Sequence, residues 1–309
     1  MRNVLCDALN EWIHCDPDSL AIIKQAIGEL HSASLIIDDI EDRSETRRGR
    51  PCAHVTFGMP QALNSANYAY FIAMQTLSKL EPPRDGMMDI FCDEMLSLHR
   101  GQGKDIHWRE TLYVASETEY RGMVVDKTGG LFRMAARLMM CVKKPLMSPS
   151  VILSVMDDLA YLFQIRDDFL NLYSPRVHRS KGYCEDITEG KLSFVVLHAF
   201  KNSSVANELL SILSSGTNDQ HQIDRALQIM NEAGSFDFTL KTLSSLTKAL
   251  RHRITSLGAG SFAFEMLLDQ MVHEIGECKM MVMKTDDEKQ QQGDSSTELF
   301  DQEEHKAEI

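Results

Sequence analysis

Apolar residues recur at three- and four-residue spacing through most of this chain, and no stretch shows the alternation of a half-buried β-strand. Leu20, Ile23 and Ile27 give this pattern near the N-terminus. Only 8 prolines and 17 glycines interrupt the 309 residues, while 18 methionines and many Leu, Ala and Glu residues favour helix. The sequence therefore predicts an all-α protein.

Turn signals divide the chain into successive predicted helices. Asp16 and Pro17 are typical of a helix start, from which the first pattern runs to Asp42. Ser148 as cap and Pro149 in the first turn open another helix, over 149–173. We expect a loop over 175–190. The other helices are predicted near 60–79, 87–107, 117–142, 191–200, 204–215, 220–233, 236–256 and 261–283.

Acidic residues outnumber basic ones, at 45 Asp and Glu against 32 Lys and Arg, for a net charge of −13. Nine acids and two lysines fall between Thr285 and Ile309, so about half of that charge belongs to the C-terminal segment. We predict one folded domain over 1–283 and an acidic, disordered tail over 284–309. The acidic balance disfavours nucleic-acid binding.

Apolar runs and cysteines bear on where the protein works. No apolar run approaches the roughly 20 residues that span a bilayer, and the N-terminus lacks the apolar core of a signal peptide. The seven cysteines are scattered without a CxxC pair, which disfavours a disulfide framework and a zinc site. We expect a cytoplasmic protein with reduced thiols and no stable membrane span.

A first acidic cluster contains Asp38, Asp39 and Asp42. On a helix, Asp38 and Asp42 lie on one face, with Asp39 about 100° round the turn. Such carboxylates repel one another unless cations join them, and hard oxygen ligands favour Mg²⁺ or Mn²⁺ shared with substrate phosphates. A lone cluster is equally typical of a solvated helix end, but the apolar run 35–37 directly before it favours a pocket mouth.

A second cluster follows on a mainly apolar helix, where Asp167 and Asn171 are again four residues apart beside Asp168. Two such clusters predict facing helices that clamp a metal-bound diphosphate. Asp157 and Asp158 lack a third oxygen ligand one turn on, so we expect them at a helix surface.

Positive charge lies near both clusters. The basic run 47–50 follows the first cluster, and arginine forks suit phosphate oxygens, although such a run is more often a solvated loop. Lys127, Lys181 and Lys191 add ammonium groups that could reach a diphosphate. The segment 127–130 is not a nucleotide-binding P-loop, because the GxxxxGK frame and a preceding strand are missing.

Five segments, in this order, resemble the trans-isoprenyl diphosphate synthases: SLIIDDIEDRSETRRGRP, GQGKDIHWR, KTGGLFR, FQIRDDFLNL and KGYCEDITEGKLSF. The similarity is greatest to geranylgeranyl diphosphate synthases of fungal and animal type, and it covers about residues 2–283. It implies an isoprenoid synthase helical bundle in which two Asp-rich helices face each other across a deep apolar pocket. It also implies about three Mg²⁺ per site, for which Mn²⁺ can substitute.

The resemblance assigns roles residue by residue. The metal ligands that it implies are Asp38, Asp42, Asp167 and Asp168, supported by Asp39 and Asn171. The groups that would hold the allylic diphosphate are Arg47, Lys127, Thr128, Gln164, Lys181 and Lys191, and those for isopentenyl diphosphate are Arg2, His31 and Arg48. The residues that align with the pocket floor are Tyr70, Phe71 and His99. From helix pattern alone, His31 and Gln164 are more typical of a core than of a binding site, and the floor residues are also compatible with an ordinary core.

The implied activity is a Mg²⁺-dependent prenyl transfer. Isopentenyl diphosphate would condense with dimethylallyl, geranyl or farnesyl diphosphate to give geranylgeranyl diphosphate for isoprenoid or diterpenoid biosynthesis, in a homodimer or larger homo-oligomer. The family's Gly-Lys pair and helix before the position of Arg2 have no counterpart in this sequence, so a catalytically impaired partner subunit is an alternative. A class I terpene cyclase is a weaker one, because residues 163–171 do not match its second metal motif.

Overall fold

The computed structural model describes residues 2–81, 85–174, 177–178, 183–258, 262–273 and 275, and of Arg2 the backbone only. Within these residues regular structure is helical apart from one pair of two-residue strands, so the predicted all-α class is confirmed. The chain divides into two units, Met1–Leu268 and Asp269–Ile309, and the first holds everything discussed below. The predicted boundary at 283 and the acidic tail lie outside the described residues.

Helices follow one another along the first unit. The first eight are α1 Arg2–Ile13, α2 Pro17–Glu41, α3 Ala53–Phe57, α4 Met59–Leu77, α5 Met87–Thr111, α6 Glu117–Lys127, α7 Gly129–Val142 and α8 Pro149–Tyr173. The next five are α9 Glu185–Thr188, α10 Phe194–Asn202, α11 Ala206–Ser215, α12 Gln220–Glu232 and α13 Ser235–Ser256. Helix α2 packs along α4, α5 along α6 and α7, α7 along α8, and α8 along α13.

The predicted helix starts are correct in position but differ in their capping. The Asp16 carboxylate accepts the Ser19 N–H at 2.8 Å, and Pro17 occupies the first turn of α2. Pro149 likewise opens α8, but Ser148 makes no capping bond, because its hydroxyl lies 2.9 Å from that of Ser150.

The prediction of one helix over 117–142 is wrong, because the helix is interrupted at Thr128, between α6 and α7. Two glycines follow, and glycine weakens a helix interior. A Cβ on Gly129 would lie 2.8 Å from the Arg133 guanidinium, and one on Gly130 would lie 3.1 Å from the Glu94 carbonyl oxygen on α5. A side chain at either position would therefore crowd Arg133 or α5, and the helix is interrupted directly before these two glycines.

The predicted loop after the first acidic cluster forms a short hairpin. Strand β1 (Thr46–Arg47) pairs antiparallel with β2 (Arg50–Pro51). Between them Arg48 and Gly49 both have positive φ, at 56° and 72°, the conformation of a tight two-residue turn. The hairpin directs the Arg47 side chain back towards the end of α2.

Helix α2 is also the helix, within the described part of the chain, that is long and apolar enough to cross a membrane. We expected no apolar stretch near the length of a membrane span, but the most apolar 18-residue window of α2 has a mean hydropathy of 1.3. A single such helix is weak evidence of a membrane span, because core helices of soluble proteins have the same length and composition.

We predict opposite effects of alanine at two glycines of α5. A Cβ on Gly101 would lie 2.2 Å from the Lys127 backbone nitrogen, so Gly101→Ala must separate α5 from α6 and should cost about 2 kcal/mol of unfolding free energy. Gly103 has open space, and Gly103→Ala should stabilise by up to about 1 kcal/mol. Denaturant unfolding measures both; equal effects would contradict the close packing at Gly101.

Candidate active site

The first acidic cluster forms the last turn of α2, where its three aspartates differ in environment. The Asp38 and Asp42 side chains are 27% and 14% exposed, and that of Asp39 is 5% exposed. Burial raises the pKa of Asp42, and the Asp38 charge raises it further. The cluster therefore holds negative charge that a cation would stabilise.

Arg47 binds two of these carboxylates from the hairpin. Its Nε donates to Asp39, and its Nη2 donates to Asp38 at 3.3 Å. Burial raises the pKa of Asp39, although the Arg47 charge and the Cys52 thiol, which donates a hydrogen bond, lower it. Asp39 thus faces the hairpin and positions Arg47.

Two residues of α5, Gln102 and Arg109, bond to the same turn, and the sequence analysis gave them no role. Gln102 donates to Glu41 at 2.7 Å and to Asp38 at 3.4 Å, while its own carbonyl oxygen is buried without a hydrogen-bond partner. Arg109 donates to Asp42 at 2.7 Å and to the Glu41 carbonyl oxygen at 2.9 Å. The signal was present in GQGKDIHWR, where residues 102, 105 and 109 share one helical face.

Asp105, the third residue of this face, connects the two lysines of the site. Lys127 Nζ lies 2.5 Å from Asp105 and 3.7 Å from Asp38. Burial raises the pKa of Asp105, but the charges of Lys127 and Lys191 outweigh burial and lower it. Asp105 therefore stays ionised between both ammonium groups.

The second acidic cluster places its two aspartates differently. Asp168 is fully buried and accepts hydrogen bonds from the Tyr120 hydroxyl at 2.6 Å and the Phe194 N–H at 2.8 Å. Gln164 and Lys191 each donate to its other oxygen at 3.0 Å. This environment differs from the predicted metal ligand, because protein donors already satisfy both oxygens of Asp168.

Asn171 also differs from its predicted place on a metal face. Its side chain is buried, and its Oδ1 accepts the Asp186 N–H at 3.0 Å. Asn171 therefore fixes the segment that carries Lys191.

Lys191 joins the second cluster to the first. Its Nζ lies 3.0 Å from Asp168 and 3.5 Å from Asp186. Burial acts to lower the pKa of Lys191, but the charges of Asp168, Asp186, Asp105 and Asp167 outweigh burial and raise it. Carboxylates of α2, α5 and α8 thus alternate with Lys127 and Lys191 in one network.

A family model described as polyprenyl synthetase matches residues 1–230. The chain belongs to the polyprenyl synthetase family. One relative, a geranylgeranyl pyrophosphate synthase of Hypoxylon pulicicidum, is 41% identical over 88% of this chain and 70% of its own length. Another of that name, spyE of Aspergillus fumigatus, is 44% identical over 84% and 71%. A third, of Dictyostelium discoideum, is 40% identical over 86% of each chain.

Two more residues assigned by the family resemblance lie in the same network. Thr128 donates its hydroxyl to Gln164 at 2.8 Å, and Gln164 donates in turn to Asp168. The interruption between α6 and α7 therefore connects to α8. Gln164 is a bonded residue of the site rather than an ordinary core residue.

Two of the residues assigned to isopentenyl diphosphate lie on α2 and in the hairpin. His31 lies two turns before Asp38 on α2 and is partly buried, and Arg48 is exposed in the hairpin turn. The side chain of Arg2 lies outside the described residues, as does Lys181.

Of the predicted floor residues, Tyr70 is partly buried, whereas Phe71 and His99 are exposed. The Tyr70 and His99 rings meet edge to face, with centroids 6.0 Å apart. Phe71 is 65% exposed, because it lies about 100° round α4 from Tyr70. In the single chain Phe71 is therefore not part of an enclosed floor.

Asp157 and Asp158 behave as the expected contrast to the two clusters. Asp157 accepts from Arg133 at 2.7 Å, and Asp158 accepts from Arg121 at 2.5 Å and Arg253 at 2.6 Å. Both carboxylates are partly exposed and form ion pairs between helices.

The donor set of the family site fits Mg²⁺. Asp38 and Asp42 supply hard oxygen atoms near Lys127, and Asp167 supplies them near Lys191. Among the described residues, no three His, Cys, Asp or Glu side chains converge as ligands of one ion. Protein oxygens would therefore fill only part of each coordination shell, which is usual for Mg²⁺ shared with substrate phosphates.

We predict that alanine substitutions of two neighbouring aspartates of α8 have different effects, one mainly on stability and the other mainly on activity. Asp168→Ala leaves Lys191 without its closest carboxylate in a buried site, so it should cost about 3 kcal/mol or more of unfolding free energy. Asp167→Ala should change stability by no more than about 1 kcal/mol, with a large loss of turnover. Thermal unfolding and activity assays on both variants test this; a stable Asp168→Ala protein would contradict the structural role.

Proposed function

We propose that this protein is a geranylgeranyl diphosphate synthase, which extends allylic diphosphates with isopentenyl diphosphate in a Mg²⁺-dependent prenyl transfer. The observation that carries the proposal is the network in which Lys127, Asp105 and Lys191 connect the acidic clusters of α2 and α8. The names of three relatives, which are 40–44% identical over most of this chain, support the same product.

Cationic and polar groups of the site are suited to a diphosphate. Arg47 and Lys127 have their charges beside Asp38, and Thr128 and Gln164 present polar groups next to them. A bound diphosphate would compete with Asp38 for Arg47 and Lys127, and charge-assisted bonds to phosphate oxygens are strong. The diphosphate would then be held at the end of α2.

The proposed metal ligands are Asp38, Asp42 and Asp167. When bound, Mg²⁺ stabilises the negative charge of the departing diphosphate. Asp39 keeps Arg47 in place, and Asp168 keeps Lys191 in place. Because the diphosphate is the leaving group and a double bond is the nucleophile, no side chain of this protein has to act as a nucleophile.

The decisive experiment incubates purified protein with Mg²⁺, isopentenyl diphosphate and, separately, dimethylallyl, geranyl and farnesyl diphosphate. We expect a C20 product from each primer. Excess chelator should abolish turnover, Mn²⁺ should restore it, and Asp38→Ala should lower it at least about a hundredfold with unchanged helical content.

Three outcomes would redirect the proposal. Full activity in excess chelator would exclude the metal-dependent mechanism. Binding of inorganic diphosphate with Mg²⁺ but no elongation of any primer would favour the impaired partner subunit. A main product of C15 would identify a shorter-chain synthase.

We predict that Tyr70 limits product length, because its ring meets that of His99 on the predicted floor. Tyr70→Ala should shift the main product beyond C20, since it removes a ring from the end of the chain pocket. Phe71→Ala is the matched comparison on α4 and should leave a single subunit's pocket unchanged. Chromatography of dephosphorylated products measures both; unchanged length in Tyr70→Ala would show that this ring is ordinary core.

We also propose a homodimer. Six large apolar side chains on α4 and α5 are 42–65% exposed: Met59, Leu63, Tyr68, Phe71, Met88 and Leu96. An apolar surface of this kind is typical of a protein contact. Light scattering of the purified protein would show whether the subunit associates.

A further inference from the structure

Arg133 on α7 has an unusually complete set of partners. Its Nε donates to Glu94 at 3.0 Å, and its Nη2 donates to the Ser97 hydroxyl at 3.0 Å, both on α5. Its Nη1 donates to Asp157 on α8 at 2.7 Å and to the Val125 carbonyl oxygen on α6 at 2.8 Å. One side chain, 13% exposed, therefore connects α7 to three other helices.

Two of these contacts lead to the residues directly before Lys127. The Val125 carbonyl belongs to the last turn of α6, whose carbonyls lack partners within that helix. Ser97, which accepts from Arg133, donates its hydroxyl to Asp126 at 3.0 Å. Arg133 thus reaches residue 125 directly and residue 126 through one hydroxyl.

We propose that Arg133 is a positioning residue for the allylic diphosphate, acting by fixing the last turn of α6 so that Lys127 and Thr128 face the site. The identity of the ligand rests on the proposed function; the positioning itself does not. Arg133 touches neither acidic cluster, so its effect must pass through the backbone of residues 125–128.

The surroundings of Arg133 require an arginine. Its planar fork offers five N–H groups in fixed directions, whereas lysine has three on a single nitrogen. The Arg133 guanidinium also lies where a Cβ on Gly129 would be 2.8 Å away, so the glycine after Thr128 leaves room for it. The Arg133 guanidinium therefore packs directly against the interruption between α6 and α7.

Arg137, one turn along α7, provides a matched control. It donates to the same Glu94 at 2.8 Å and to Asp93 at 2.9 Å, so both of its acceptors lie on α5. Arg137→Met removes the same charge next to the same buried carboxylate. It leaves the Val125 and Ser97 contacts of Arg133 intact.

The experiment compares wild-type protein with Arg133→Met, Arg133→Lys, Ser97→Ala and Arg137→Met. Amide hydrogen exchange over residues 121–130 should rise in Arg133→Met and change little in Arg137→Met. The KM for farnesyl diphosphate should rise about tenfold to a hundredfold in Arg133→Met, since a small misplacement of a binding group has effects of that size. The KM for isopentenyl diphosphate should change less than threefold, and Ser97→Ala should show a smaller change in the same direction.

Calorimetry with inorganic diphosphate and Mg²⁺ separates this inference from the proposed function. If the wild type binds diphosphate without prenyl transfer, the proposed function fails, and a weaker Kd in Arg133→Met alone would still support positioning. If Arg133→Met and Arg137→Met change exchange, KM and Kd equally, the positioning role is overturned. If Arg133→Met does not fold, Arg133→Lys and Ser97→Ala decide: wild-type exchange over 121–130 and wild-type KM in both would overturn it.

Discussion

The ion pair between Lys191 and Asp168 is the interaction on which the site depends most. Asp168 is fully buried, and a buried charge is tolerated only when all of its partners are present. Its partners come from α6 through Tyr120, from the start of α10 through the Phe194 N–H, and from its own helix through Gln164. Three helices and the segment carrying Lys191 are therefore fixed around one carboxylate.

From the pair of Lys191 and Asp168, acidic and basic side chains alternate towards the end of α2. Asp105 lies between the two lysines, and Lys127 continues to Asp38. Each lysine lies close to two carboxylates, so loss of one ammonium group weakens the pairing of two acids at once. In the absence of ligands, the acidic and basic side chains of this network are already paired with one another. Diphosphate and metal ions would therefore have to replace some of these ion pairs with new contacts of similar strength. The exposed end of the network, at Asp38 and Asp42, is where such exchange is easiest.

The sequence predicted the helices better than it predicted the individual aspartates. Spacing placed Asp38 and Asp42 on one helical face, and the Ser148–Pro149 pair located the start of α8. It could not distinguish Asp167 from Asp168, because neighbours on a helix differ by about 100° and the covering groups, Tyr120 and Phe194, come from distant parts of the chain. The interruption at Thr128 was missed for the same reason, since it depends on packing against Arg133 and α5.

The polar face of α5 shows what further could have been read from the chain. Gln102, Asp105 and Arg109 lie at helical spacing in a segment that is already rich in charge, which predicts a shared face but not its partner. The acids at the end of α2 need compensating cations. Arg109, on the polar face of α5, can reach them if α5 runs beside the end of α2. The observed contact from Arg109 to Asp42 satisfies this requirement. Charge balance between motifs, rather than any one motif, therefore determines which helices must meet.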